Sequence, residues 1–154
     1  MVQRTSKALA ALYEVDETAW LEATAELLRQ GRLDQLETNT LAEYLTDMAR
    51  RDRREVESRL IVLMAHALKW AYQPDQQSRS WRATIIEQRQ ELEGLVGRGV
   101  LRNHAEAVLA ECHRKAVERA VAETGLPPGA FPTVCPYTLD QLLSTDLLGN
   151  DASQ

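Results

Sequence analysis

The thirteen residues LIVLMAHALKWAY, Leu60 to Tyr72, constrain this chain more than any other stretch. Drawn as a helix, they are apolar on nearly every side, so the segment has no face to give to water and belongs in the middle of a bundle. The apolar run from Leu60 to Leu68 is interrupted by His66 and falls well short of the roughly 20 residues that a membrane-crossing helix needs. Wrapping by other helices, rather than by lipid, is the predicted environment.

The flanking sequence supplies those helices. Asp16 reads as an N-cap, and Trp20, Ala23, Leu27 and Leu28 then recur at three- and four-residue spacing until Gly31. Thr40 and Glu43 have the spacing of a capping box before a stripe of Leu41, Leu45 and Met48. The helical pattern continues to Tyr72, where Pro74 stops it; unbroken, it would span about 50 Å, and a kink is expected near Ala49 to Asp52. After QPDQQSRS, a helix from about Trp81 to Val96 is capped by Ser78 or Ser80, with Trp81, Ile85, Leu92 and Leu95 inward. Another is predicted to begin after Asn103 and to run to Gly125, on a stripe of Ala105, Val108, Leu109, Cys112, Ala116 and Ala120. The stretch GLPPGAFPTVCPY carries four prolines and two glycines, so it is predicted to be irregular chain lying over the bundle. Thr138 and Gln141 form a capping box before the short helix LDQLLSTDLL.

The predicted fold class is therefore all-α: an up-and-down helical bundle of about four main helices, with a long central helix, a Pro-rich wrapping segment and a short C-terminal helix. Residues 1–15 are expected to be a loosely docked N-terminal segment, 16–148 a single helical-bundle domain and 149–154 a disordered tail. A length of 154 residues suits one core. The two cysteines, Cys112 and Cys135, form no C-x-x-C pair, and Arg4 and Lys7 precede too brief an apolar patch for a secretory signal. A cytoplasmic address is the expectation.

Charge is unevenly spread. Residues 1–49 carry 4 Lys/Arg against 9 Asp/Glu, residues 50–89 carry 9 against 5, and residues 90–154 carry 5 against 9. A basic middle between acidic flanks is explained by mutual neutralisation of packed helices or by a basic surface for an anionic partner. The run RRDRREVESR interleaves Asp52, Glu55 and Glu57 with its arginines and reads as an ion-paired, solvated face.

The chain also resembles a known family. The order of the blocks LLRQGRLDQLE, NTLAEYL, ESRLIVLMAHALKWAYQP, SRSWRATI, AETGLPPGAFP and CPYTLDQLL carries the resemblance from Tyr13 to Leu148. The family is catalogued as domain of unknown function 29, known mainly from cyanobacteria and proteobacteria. The resemblance implies a helical bundle and brings no activity, substrate or cofactor.

Two constellations carry chemistry. Arg59 and His66 lie two turns apart on one helix face, an Arg-then-His spacing like that of metal-independent ribonucleases of the HEPN superfamily. There an imidazole moves a proton and a guanidinium holds phosphate. The plainer readings are a hydrogen-bonded core histidine and an ion pair of Arg59 with Glu55, four residues earlier. Lys69, Trp70, Tyr72, Arg79, Trp81 and Arg82 cluster around one helix–loop–helix corner, where they either bind a protein partner or an anionic ligand, nucleic acid included, or close the end of the core. His104 and His113 point to opposite sides of their helix, and no Glu-x-x-His occurs, so no metal site or cofactor is expected. No phosphate-cradling loop or nucleophile elbow is present. The sequence favours a non-enzymatic interaction module over a ribonuclease using Arg59 and His66, without membrane attachment and with self-association left open.

Overall fold

Capping residues open three of the helices as their sequence predicts, and the rest of the architecture follows from where the apolar faces meet. The computed structural model describes residues 2–149, with side chains from residue 8 onward; of the tail expected at residues 149–154, Gly149 ends the last 3₁₀ turn and residues 150–154 lie outside the described residues. The described residues form six helices: α1 (Val2–Val15), α2 (Glu17–Arg29), α3 (Thr38–Tyr72), α4 (Arg79–Val96), α5 (Val100–Thr124) and α6 (Leu139–Leu142). Short 3₁₀ turns lie at Leu33–Gln35, Pro74–Gln76, Pro128–Ala130 and Thr145–Leu148. No strand occurs among the described residues, in agreement with the all-α expectation. The residues form two compact units, 1–50 and 51–154. The boundary falls inside α3, in the stretch where the sequence suggests a kink.

In the first unit, Asp16 caps α2 by accepting from the Ala19 N–H at 3.0 Å. Gly31 closes it at φ 69°, with the Arg32 N–H reaching back to the Leu27 carbonyl, a helix end that favours glycine because of its left-handed backbone. Trp20 is buried, with Tyr13 edge-on at 4.9 Å and Tyr44 tilted at 5.7 Å between centroids. Because Tyr44 supplies this contact, the stripe predicted through Leu41, Leu45 and Met48 is rotated, and Leu45 stands 60% exposed. α3 begins at Thr38, two residues before the predicted cap Thr40.

The second unit is built on the apolar half of α3. Leu60, Leu63, Met64 and Leu68 are fully buried against Ile85, Leu92 and Val96 of α4 and the small face Ala105, Cys112, Ala116 and Ala120 of α5. Each large aliphatic side chain removed from water contributes about 1.5–3 kcal/mol. Arg59 meets Gln88 while Lys69 meets Trp81, so α3 and α4 run antiparallel. Glu57 meets Cys112 while Lys69 meets Glu123, so α3 and α5 run parallel. The result is an up–down–up arrangement.

Ser78, not Ser80, caps α4 by accepting from the Trp81 N–H at 3.1 Å. α5 starts at Val100 rather than after Asn103, because Gly99 turns the chain at φ 85° and its carbonyl already accepts from the Asn103 N–H. The Pro-rich segment is irregular apart from one 3₁₀ turn, and its Phe131 is buried in the core. Thr138 and Gln141 form the reciprocal capping box of α6, whose Leu139 and Leu142 complete the core.

Candidate binding site at the α3–α4 corner

The α3–α4 turn brings the six corner residues to one end of the second unit, but into different environments. Lys69 is 4% exposed. Its Nζ donates to Glu123 Oε2 at 2.5 Å and sits 4.9 Å from the Trp81 ring centroid, so carboxylate and indole face both compensate the buried ammonium. Burial alone would raise the Glu123 carboxyl, but hydrogen bonds from Lys69 and from Arg119 Nε at 2.9 Å outweigh it and hold it below its usual range. Trp70 is half-buried, and its indole N–H donates to the Leu148 carbonyl at 3.2 Å. Trp81 is half-buried as well. Tyr72 is 44% exposed, edge-on to Phe131 at 5.8 Å, and Arg79 and Arg82 are exposed. Thus Lys69, Trp70 and Trp81 tie elements together, while Tyr72, Arg79 and Arg82 face outward.

Arg59 and His66 have separate partners. Arg59, 26% exposed at its side chain, donates through Nε to Glu55 at 3.0 Å and through Nη1 to Gln88 at 3.2 Å, and lies 3.7 Å from Glu91. Its fork is occupied by α3 and α4. His66 Nδ1 lies 2.9 Å from the Val62 carbonyl; a carbonyl only accepts, so this nitrogen carries the proton. Burial pushes the imidazole below its usual range, with the Val62 hydrogen bond opposing and Lys69 assisting. The charges acting on it include Glu123 and Arg119 of α5.

Arg89 was not singled out by its sequence context, although it repeats Arg82 at seven residues on α4. Arg82 and Arg89 share the wall of a cavity of about 260 Å³ with Ile86 and with Thr145, Asp146 and Leu148 of the last 3₁₀ turn. Arg89 is half-buried, its Nε is sealed from solvent, and that Nε has no hydrogen-bond partner among the described residues. Among the described residues no group of three or more His, Cys, Asp or Glu side chains is arranged to hold a metal ion. Nor is any described helix long and apolar enough to cross a membrane.

Fold and corner together define an all-helical protein with a basic, aromatic end. Residues 12–148 match the family described as Domain of unknown function DUF29, and the chain belongs to that family. No curated protein and no solved structure matches it.

Proposed function

We propose that this chain is a non-enzymatic interaction module that docks an acidic segment of a protein partner at the α3–α4 corner. The division of the corner carries this reading: Lys69, Trp70 and Trp81 are held by Glu123 and the Leu148 carbonyl, which fixes a platform beside the outward-facing Tyr72, Arg79 and Arg82. A fixed platform loses little side-chain freedom on binding, and aromatic and arginine residues supply most of the energy at interface hot spots. A cytoplasmic address belongs to the same proposal, supported by free thiols at Cys112 and Cys135.

The test is binding of the full chain to surfaces bearing a poly-glutamate peptide, a poly-lysine peptide or single-stranded RNA. Binding to poly-glutamate alone, weakened by added salt and by Arg79→Glu, is expected. Binding to RNA alone would replace the acidic-peptide partner by nucleic acid.

One observation supports a second reading, a metal-independent ribonuclease of the HEPN kind. With His66 Nδ1 held by Val62, the lone pair of a neutral imidazole lies on Nε2, where it can take a proton. Against it, Arg59 is already occupied by Glu55, Gln88 and Glu91. Cleavage of single-stranded RNA that disappears in folded His66→Ala protein would establish the ribonuclease and remove the binding-only reading.

A further inference from the structure

We infer that the cavity between α5 and the Pro-rich segment binds a compact, uncharged, largely apolar molecule, one oxygen of which accepts a hydrogen bond from His113 Nδ1. The site lies in the second unit and shares no lining residue with the α3–α4 corner.

His113 is 3% exposed, and burial pushes its imidazole below the ordinary range, so the ring is neutral at pH 7. A neutral imidazole offers one donor and one acceptor. Nε2 is sealed from solvent and has no partner among the described residues. Nδ1 has no hydrogen-bond partner there either, yet it is not sealed, and the surface it reaches is the wall of the cavity that His113 lines. The proton belongs on Nδ1, where something can accept it, because a sealed N–H without an acceptor is rare in folded chains. The other two histidines have neighbours of their own: His66 Nδ1 donates to the Val62 carbonyl, and His104 Nε2 lies 3.6 Å from Glu57. An acceptor for His113 has to come from outside the fold.

The cavity fits such a ligand. Its volume of about 540 Å³ falls within the range of small-molecule sites, about 300–1,000 Å³. Val117, Phe131 and Pro132 give it apolar walls, and Phe131 is itself buried in the core, so that wall is fixed before a ligand arrives. Arg114 is the one charged residue of the wall, and Glu111 at 2.6 Å and Glu118 at 3.8 Å already hold its guanidinium. An anion would meet those two carboxylates, and no carboxylate lines the cavity to hold a cation. An uncharged molecule is what remains. A β-carbon at Gly129 would meet no atom within 4 Å, so the turn Pro128–Ala130 leaves open the space beside it.

The test follows the His113 ring nitrogens by NMR while acetophenone, ethylbenzene or benzoate is added to the full chain. Acetophenone joins an apolar ring to one carbonyl, and a saturable shift of Nδ1 is expected. Ethylbenzene keeps the shape without the acceptor and should bind about tenfold more weakly; benzoate, carrying a charge, should also bind more weakly than acetophenone. No saturable shift with acetophenone, equal binding of ethylbenzene, or tightest binding of benzoate would each overturn the site. In His113→Phe, followed through the ligand signals, acetophenone should lose its advantage over ethylbenzene; a retained advantage would remove the imidazole from the site. Gly129→Leu changes an exposed residue and fills the open space, so it should abolish binding of both neutral probes. Unchanged binding in that variant would place them elsewhere and overturn the proposal, and this readout decides alone if His113→Phe does not fold.

Discussion

The two units keep their shape by different means. In the first, one buried indole gathers the contacts: Trp20 meets Tyr13 and Tyr44, while Leu28, Leu33 and Leu45 remain exposed. In the second, apolar side chains from α3, α4, α5, α6 and the Pro-rich segment interlock around Leu63, Met64 and Leu68. Beside Trp20 the first unit buries only Leu9 and Thr24 among its described side chains, so removing its one large buried group takes away most of that core, whereas a distributed core loses only a share. The first unit also contains no histidine; His66, His104 and His113 all lie in the second.

The largest effect is expected from Trp20→Ala. It should cost about 3–5 kcal/mol and speed amide exchange throughout residues 8–50, with little change in residues 51–149. Equal acceleration in both would mean that the distinction is false. Leu63→Ala should cost about 2–5 kcal/mol and lower the denaturation midpoint of the second unit while it stays folded.

Next comes the Lys69–Glu123 pair. Glu123→Gln strands a buried ammonium, which costs about 3–5 kcal/mol for a fully buried pair; with Glu123 a third exposed, about 2 kcal/mol is expected after solvent screening. Lys69→Met removes the buried charge and leaves Glu123 its bond to Arg119, so thermal unfolding should show a much smaller change.

The smallest effect is pH-dependent. Burial lowers the His66 and His113 imidazoles from the ordinary 6.5, so below that pH the unfolded chain binds more protons than the folded one. The stability this contributes is present above about pH 6.5 and is lost as the pH falls toward the folded-state values. Chemical denaturation at pH 7 and pH 6 should show the second unit losing stability and His66→Gln reducing the loss. No dependence in that window would remove the assignment of neutral, buried imidazoles.

Much of the fold was legible because its signals are local. Asp16, Ser78 and the Thr138–Gln141 pair mark helix starts within four residues of sequence, and the apolar run from Leu60 announces the burial that holds as far as Lys69, while Ala71 and Tyr72 at its end are exposed. The rotated stripe at Leu45 was not legible, since which face of α3 turns inward depends on Tyr44 meeting Trp20, 24 residues away. The corner was found from the proximity of six residues in sequence, but the division among them was not, because Glu123 lies 54 residues beyond Lys69 and Leu148 lies 78 beyond Trp70. Arg89 escaped notice because its distinction is an Nε without an acceptor among the described residues, and composition does not record what an atom lacks.

The stacked ammonium at Lys69 also makes Trp81 an optical gauge. A positive charge held over an indole alters its emission, and this charge stays in place only while Glu123 anchors it from the last turn of α5. Of the light emitted by the three tryptophans, the share from this ring therefore records whether the ends of two helices, distant in sequence, remain clasped.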